Sequence, residues 1–224
     1  MRIRILALTL LLAVLHSSNA GVVSARQSRA IDLVARDGSK IATIHVNGQS
    51  LLYESNDNSG AFLFSDEKFF TMNTRDKTYR VQSYAELQAS ASRKALEIAH
   101  SPDSSDARQG IELKLTEETD VIAGVKVRKL IKTSGGEPEA VFWVSSELMP
   151  PSLRTLGEKV RSILPKDYWK RVHGNPGMVE VITLFGVPLK LTYDGRAYEG
   201  RVVESPSSDS SFQVPPDYKR LGPN

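Results

Sequence analysis

The chain has 224 residues, 29 of them basic and 26 acidic, with a formal net charge of +3 and no cysteine. So balanced a surface argues against nucleic acid as a partner, because phosphate backbones are bound by an excess of Lys and Arg. Without cysteine there can be no disulfide, no thiol chemistry and no lipid-modified cysteine of a bacterial lipoprotein.

Arg2 and Arg4 open a positive segment, the run Ile5 to Leu15 is apolar, and Ser18-Asn19-Ala20 supplies small residues where a signal peptidase reads. This pattern predicts a secretory signal peptide over residues 1–20, cleaved near Ala20. The remaining 204 residues, 21–224, are expected to form a single α+β domain, with 27 basic against 26 acidic residues and a net charge of +1. No later stretch approaches the roughly 18 apolar residues of a spanning helix, so no transmembrane segment is expected. An exported chain without cysteine or an Asn-x-Ser/Thr acceptor points to a bacterial envelope or secreted protein, periplasmic or extracellular after cleavage.

Short strands with turn signals follow. "KIATIHV" and "QSLLYES" flank Asn47-Gly48, a hairpin signal because both residues tolerate positive φ. "AFLFS", "FFTMN" and "TYRVQ" continue a meander. Ser83-Tyr84-Ala85-Glu86 is a capping box, and Tyr84, Leu87, Ala91, Ala95 and Ile98 recur at helical spacing. After a polar loop, Ile111 to Leu115 alternates apolar and charged as a half-buried strand does. Glu117-Glu118-Thr119-Asp120 is expected to be a charged turn, and Gly135-Gly136 a hairpin turn. A second helix begins near Pro151-Ser152, presents Leu153, Leu156, Val160 and Ile163 on one face, and stops at Pro165. "KDYWKRVHG" adds a short helix, while "MVEVITLF", residues 178–185, fits neither strand nor helix cleanly. Leu189 to Tyr193 and Tyr198 to Glu204 form a last hairpin around Asp194-Gly195.

Ten or eleven strands and two or three helices with no β-α-β alternation predict an α+β fold. Its expected form is a strongly curved antiparallel sheet, an incomplete barrel, with helices packed on one face.

Catalytic and metal motifs are missing. The sequence has no G-x-S-x-G elbow and no S-x-x-K, and His45, His100 and His173 are not spaced with other metal ligands. The run 117–120 lacks the glycine of a calcium loop, and no P-loop lysine follows Gly135-Gly136. The expectation is therefore a protein that is not an enzyme, with no catalytic residue, metal or cofactor. Lys166 to Arg171 mixes basic and aromatic residues as membrane-surface segments do, though a helix with its rings in the core and its charges in water reads the same way.

Three stretches carry a family resemblance. "TEETDVIAGVKVRKLIKTSGGEPEAVFWVSSEL", "FGVPLKLTYDGRAYEGRVVES" and the closing "FQVPPDYKRL" resemble, in order and spacing, the bacterial exported domain of unknown function 4412. "RDKTYRVQSYAEL" is similar to that family's strand entering a helix. Pro216 and Asp217 depart from its small residue and glycine before Tyr218. The family is distantly similar in architecture to the outer-membrane lipoprotein carriers, whose incomplete barrel is lidded by helices. The resemblance implies a non-enzymatic envelope protein binding a lipid or other amphipathic ligand between sheet and helices. The alternative is an interaction or assembly module for an envelope protein partner, with a filled core. Trp143, Phe64 and Met72 are the expected ligand-lining residues on the sheet face toward the helices. Phe212, Val214 and Tyr218, with two prolines between, are expected to fasten the chain's end onto the sheet.

Overall fold

The computed structural model describes residues 28–57, 60–100, 110–165, 168–171, 176–204 and 212–222. The expected leader, His173, Lys166, Asp167 and the loops at 101–109 and 205–210 lie outside them. Twelve strands occur among the described residues. In the first half they are β1 Arg29–Ala35, β2 Lys40–Val46, β3 Leu51–Ser55, β4 Ala61–Ser65, β5 Lys68–Asn73 and β6 Thr78–Ser83. In the second they are β7 Ile111–Ile122, β8 Val125–Ser134, β9 Glu137–Ser145, β10 Val187–Tyr193, β11 Arg196–Glu204 and β12 Lys219–Arg220. The helices are α1 Tyr84–His100, α2 Pro151–Ile163, α3 Tyr168–Arg171 and α4 Met178–Leu184.

All twelve strands form one sheet in the order β12-β6-β5-β4-β3-β2-β1-β11-β10-β9-β8-β7. Neighbours are antiparallel except β12, which runs parallel to β6, and the sheet is open between its edges β7 and β12. The architecture is α+β, as the order of elements implied.

Local chemistry accounts for the element ends. At α1 the Ser83 amide donates to Glu86 Oε2 at 2.6 Å, and the Glu86 amide donates to Ser83 Oγ at 3.2 Å, which closes the capping box. Between β2 and β3, Asn47 Oδ1 accepts from the amides of Gln49 and Ser50 at 3.1 and 2.7 Å. Gly48 there takes φ +84°.

One expectation is corrected, and two further stretches gain an assignment. Residues 117–120 lie inside β7, where a register shift falls between Leu115 and Thr119; the turn comes later, at Ala123-Gly124. The charges are tolerated because β7 is an edge strand, and they keep other chains from pairing with it. Of the segment left unassigned at 178–185, Met178–Leu184 form helix α4, despite the β-branched residues. The Gly177 amide donates to Glu180 Oε2 at 2.9 Å at its start, and burial of Val181, Ile182 and Leu184 outweighs weak helix propensity. The chain's end, expected to fasten onto the sheet, also adds β12 after its prolines: the Lys219 and Leu221 amides donate to the carbonyls of Lys77 and Tyr79, each at 2.8 Å.

Register sorts the meander into two faces. Tyr53 opposite Phe62, Leu51 opposite Phe64, and Phe64 opposite Phe69 set one face. That face carries the helices, for Phe64 and Phe69 share a core cluster with Leu153, Leu156 and Val160 of α2 and Ile182 and Leu184 of α4. The other face carries Leu52, Leu63 and Met72, covered by Phe212 with Val214 and Tyr218 at its margin. The expected clasp is present, and it lies on the side away from the helices.

Candidate functional site

A groove of about 340 Å³ lies between the meander and the helices. Its floor is Phe64 and Phe69, whose rings stack at 4.7 Å and 20°. Phe62 meets Phe64 edge-on at 5.6 Å and stacks on Tyr53 at 4.6 Å, so the floor is part of a continuous aromatic sheet face. One wall is α1, through Leu87 and Ala91; another is α2, through Leu156 and Val160. Trp169 of α3 and Val179 of α4 complete the apolar lining.

Each wall follows from its sequence spacing. Leu87 and Ala91 are four apart on α1, below Tyr84, whose ring meets Phe64 edge-on at 6.5 Å. Burial pushes the Tyr84 phenol up to about 12, while its hydrogen bond with Ser152 pulls the other way. Gly157 brings α2 against α4: a Cβ there would run into the Thr183 carbonyl oxygen. Gly186, at φ +135°, lets the chain leave α4 past β9, where a Cβ would lie 2.6 Å from the Ser145 carbonyl.

The polar groups are few and stand among apolar neighbours. Lys94 of α1, Gln82 of β6 and Glu180 of α4 line the groove, and Lys94 is exposed to solvent. Tyr168, which meets Trp169 edge-on at 4.9 Å, is raised above the ordinary phenol value by burial and then by the Glu180 charge. A mainly apolar groove with a few polar groups suits a ligand with an apolar body and a polar end.

A second cavity of about 610 Å³ opens along the same sheet face, lined by Tyr53, Phe62, Arg80 and Met178. Val179 lines both cavities, so the start of α4 divides them.

The three residues expected to line a ligand site separate. Phe64, 1% exposed, forms the groove floor. Met72 pairs with Ala61 and Tyr79, so it points to the face opposite Phe64 and packs in the cluster under Phe212; of the cavities it borders only the larger. Trp143 sits in the ladder between Lys129 and Lys190, with the Lys129 ammonium 5.9 Å from its ring centre, and lines neither cavity. The tryptophan at the groove is Trp169, whose only sequence signal was its place in the basic and aromatic run after the second helix.

Among the described residues no three His, Asp or Glu side chains gather as a metal ion requires, and no helix is long and apolar enough to cross a membrane.

No family model and no curated protein matches the chain. Among solved structures it is similar to PNGF-II at 14% identity and a TM-score of 0.46, over 87% of this chain and 31% of that one. The chain thus spans about a third of the PNGF-II chain. It is similar to an uncharacterized conserved protein from Thermus thermophilus at 7% identity and a TM-score of 0.39, over 88% of this chain and 90% of that one. A weaker likeness is to the LolA superfamily protein NE2245 from Nitrosomonas europaea, at 9% identity and a TM-score of 0.22, over 84% of this chain and 88% of that one.

Proposed function

We propose that this chain is a non-enzymatic exported envelope protein that holds a lipid or other amphipathic ligand between its sheet and its helices. The observation that supports this most is the groove itself, where aromatic and aliphatic side chains from β4, β5 and all four helices leave about 340 Å³ unfilled. A space of that size falls within the range of about 300–1,000 Å³ typical of small-molecule sites. Phe64, Leu87, Val160 and Trp169 meet the apolar part of the ligand, and Lys94 meets its polar end.

The reading includes a sheet that curves around the helices. Val127 of β8 and Phe64 of β4 belong to one core cluster, yet seven strand spacings, roughly 34 Å at ~4.8 Å each, separate them along the sheet. A curved sheet would carry such distant strands toward the same helices, and the shared cluster supports that reading. Export depends on the leader at residues 1–20, and the resemblance to the exported 4412 family rests on the order of its motifs in the sequence alone.

Trp169 supplies the test, since the chain has two tryptophans and Trp143→Phe leaves it as the sole indole. Titration of that variant with dodecanoate, below its micelle concentration, should give a saturable change in emission. Ala91→Phe, which fills the groove from α1, should remove the response while the protein stays folded. Emission that ignores dodecanoate and other amphiphiles, or a response unaffected by Ala91→Phe, would refute ligand binding in the groove.

A further inference from the structure

A third cavity, about 330 Å³, lies between β7, β8 and β9 on one side and α2 and α4 on the other. Its lining carries four cations, Lys126, Arg128, Arg154 and Arg161, against two carboxylates, Glu147 and Glu158. Arg128 is engaged among the described residues: it donates to the Thr116 carbonyl at 2.9 Å and pairs with Glu117 at 3.0 Å. Arg154 Nε is buried with no hydrogen-bond partner among the described residues, although a buried polar group without one is costly. Arg161 lies with its guanidinium carbon 5.6 Å from the centre of the Phe185 ring, which fixes its plane at the cavity wall. Among the described residues neither Arg154 nor Arg161 belongs to an ion pair.

We infer that this cavity is a binding site for a phosphate-class oxyanion, held by the guanidinium groups of Arg154 and Arg161 and by the Lys126 ammonium. Two guanidinium forks facing one cavity suit an anion with several acceptor oxygens, and a doubly charged one offsets the surplus of cations. Arg161 is held below its ordinary value by burial, with Glu158 raising it and Arg128 lowering it in turn. An oxyanion also accepts the hydrogen bond that Arg154 Nε otherwise lacks. The site differs in lining from the apolar groove, with which it shares Leu184 alone among the residues lining either. The inference therefore stands whether or not an amphiphile fills the groove.

The oxyanion could be a free phosphate compound or the headgroup of a lipid, and the test separates the two. Calorimetric titration of the full chain with inorganic pyrophosphate measures the first. Flotation with vesicles of phosphatidylglycerol against vesicles of phosphatidylcholine measures the second. Arg154→Gln and Arg161→Gln should each weaken the anion about tenfold or more. Glu158→Gln, which removes a competing carboxylate, should tighten it about threefold, a gain that misfolding cannot produce. Binding of pyrophosphate with these responses assigns a soluble phosphate compound; binding only to phosphatidylglycerol vesicles, with the same responses, assigns a headgroup. Binding unchanged by all three substitutions, or none to either probe, would overturn the site.

Discussion

Replacing Phe212 with alanine tests whether the end of the chain holds the sheet. Phe212 is 5% exposed and packs on Leu52, Ala61, Leu63 and Met72, on the face away from the helices. Because the tail is one segment crossing a sheet, the sheet cannot collapse into the space left by the ring, and the loss includes a cavity as well as a transfer cost. Phe→Ala in such a setting costs about 3–5 kcal/mol, a large share of a typical total of about 5–15. For a chain of this length each kcal/mol moves the midpoint by about 2–4 °C, so the melting temperature should fall by roughly 6–20 °C. Phe212→Leu, which keeps most of the volume, should lose about 1.5 kcal/mol or less. Truncation after Ser211 should be worse than either substitution, because it also strips the two amide hydrogen bonds of β12 to β6. Asp217→Asn should change little, since the Lys77–Asp217 pair it breaks is open to solvent. Thermal and urea unfolding followed by far-ultraviolet circular dichroism read all four variants. If Phe212→Ala and the truncated chain melt with the parent protein, the tail does not stabilise the sheet and the packing argument fails.

Three further outcomes are expected. Gly157→Ala should destabilise by about 1–3 kcal/mol or more in urea unfolding, because its methyl group meets the Thr183 carbonyl and forces α2 off α4. Lys132 is 4% exposed and pairs with Glu139 at 2.9 Å; Glu139→Gln should cost on the order of 2–4 kcal/mol by leaving a buried ammonium uncompensated, whereas Lys132→Met should be close to neutral. Glu54 is held below its ordinary value of 4.5 chiefly by its hydrogen bond with His45. A depressed carboxylate contributes stability that is present above that ordinary value and lost as pH falls through the lowered one, so the acid limb of a stability profile should flatten in Glu54→Gln. An unchanged acid limb would show that the bond with His45 does not persist in solution.

The meander, both long helices and the clasp could be read from residues alone, because each has a local cause: Asn47-Gly48, the Ser83 and Glu86 box, and the spacing of Leu153, Leu156 and Val160. The faces were harder. In β5, Phe69 and Phe70 are adjacent and both apolar, so alternation does not say which of them shares a side with the helices. Met72 shares the side of Phe70, where the long return of the chain brings Phe212 over it and over Leu52, Ala61 and Leu63. Trp143 presents the same problem inside "AVFWV", where both faces of β9 pack against something and period-two patterning disappears. Helix α4 was hidden by valine and isoleucine, whose strand preference is overridden by burial against α2 and β10. The charged cavity had no local signature at all, since Lys126 and Arg128 come from β8 while Arg154 and Arg161 come from α2.

Native mass spectrometry of the protein purified from the cells that make it tests the central claim most directly. The parent chain should retain an amphipathic molecule that appears as added mass and is released on unfolding, while Ala91→Phe, folded to the same extent, should carry none. A parent chain that flies at its bare mass, or an adduct kept undiminished by Ala91→Phe, would contradict a ligand held between sheet and helices.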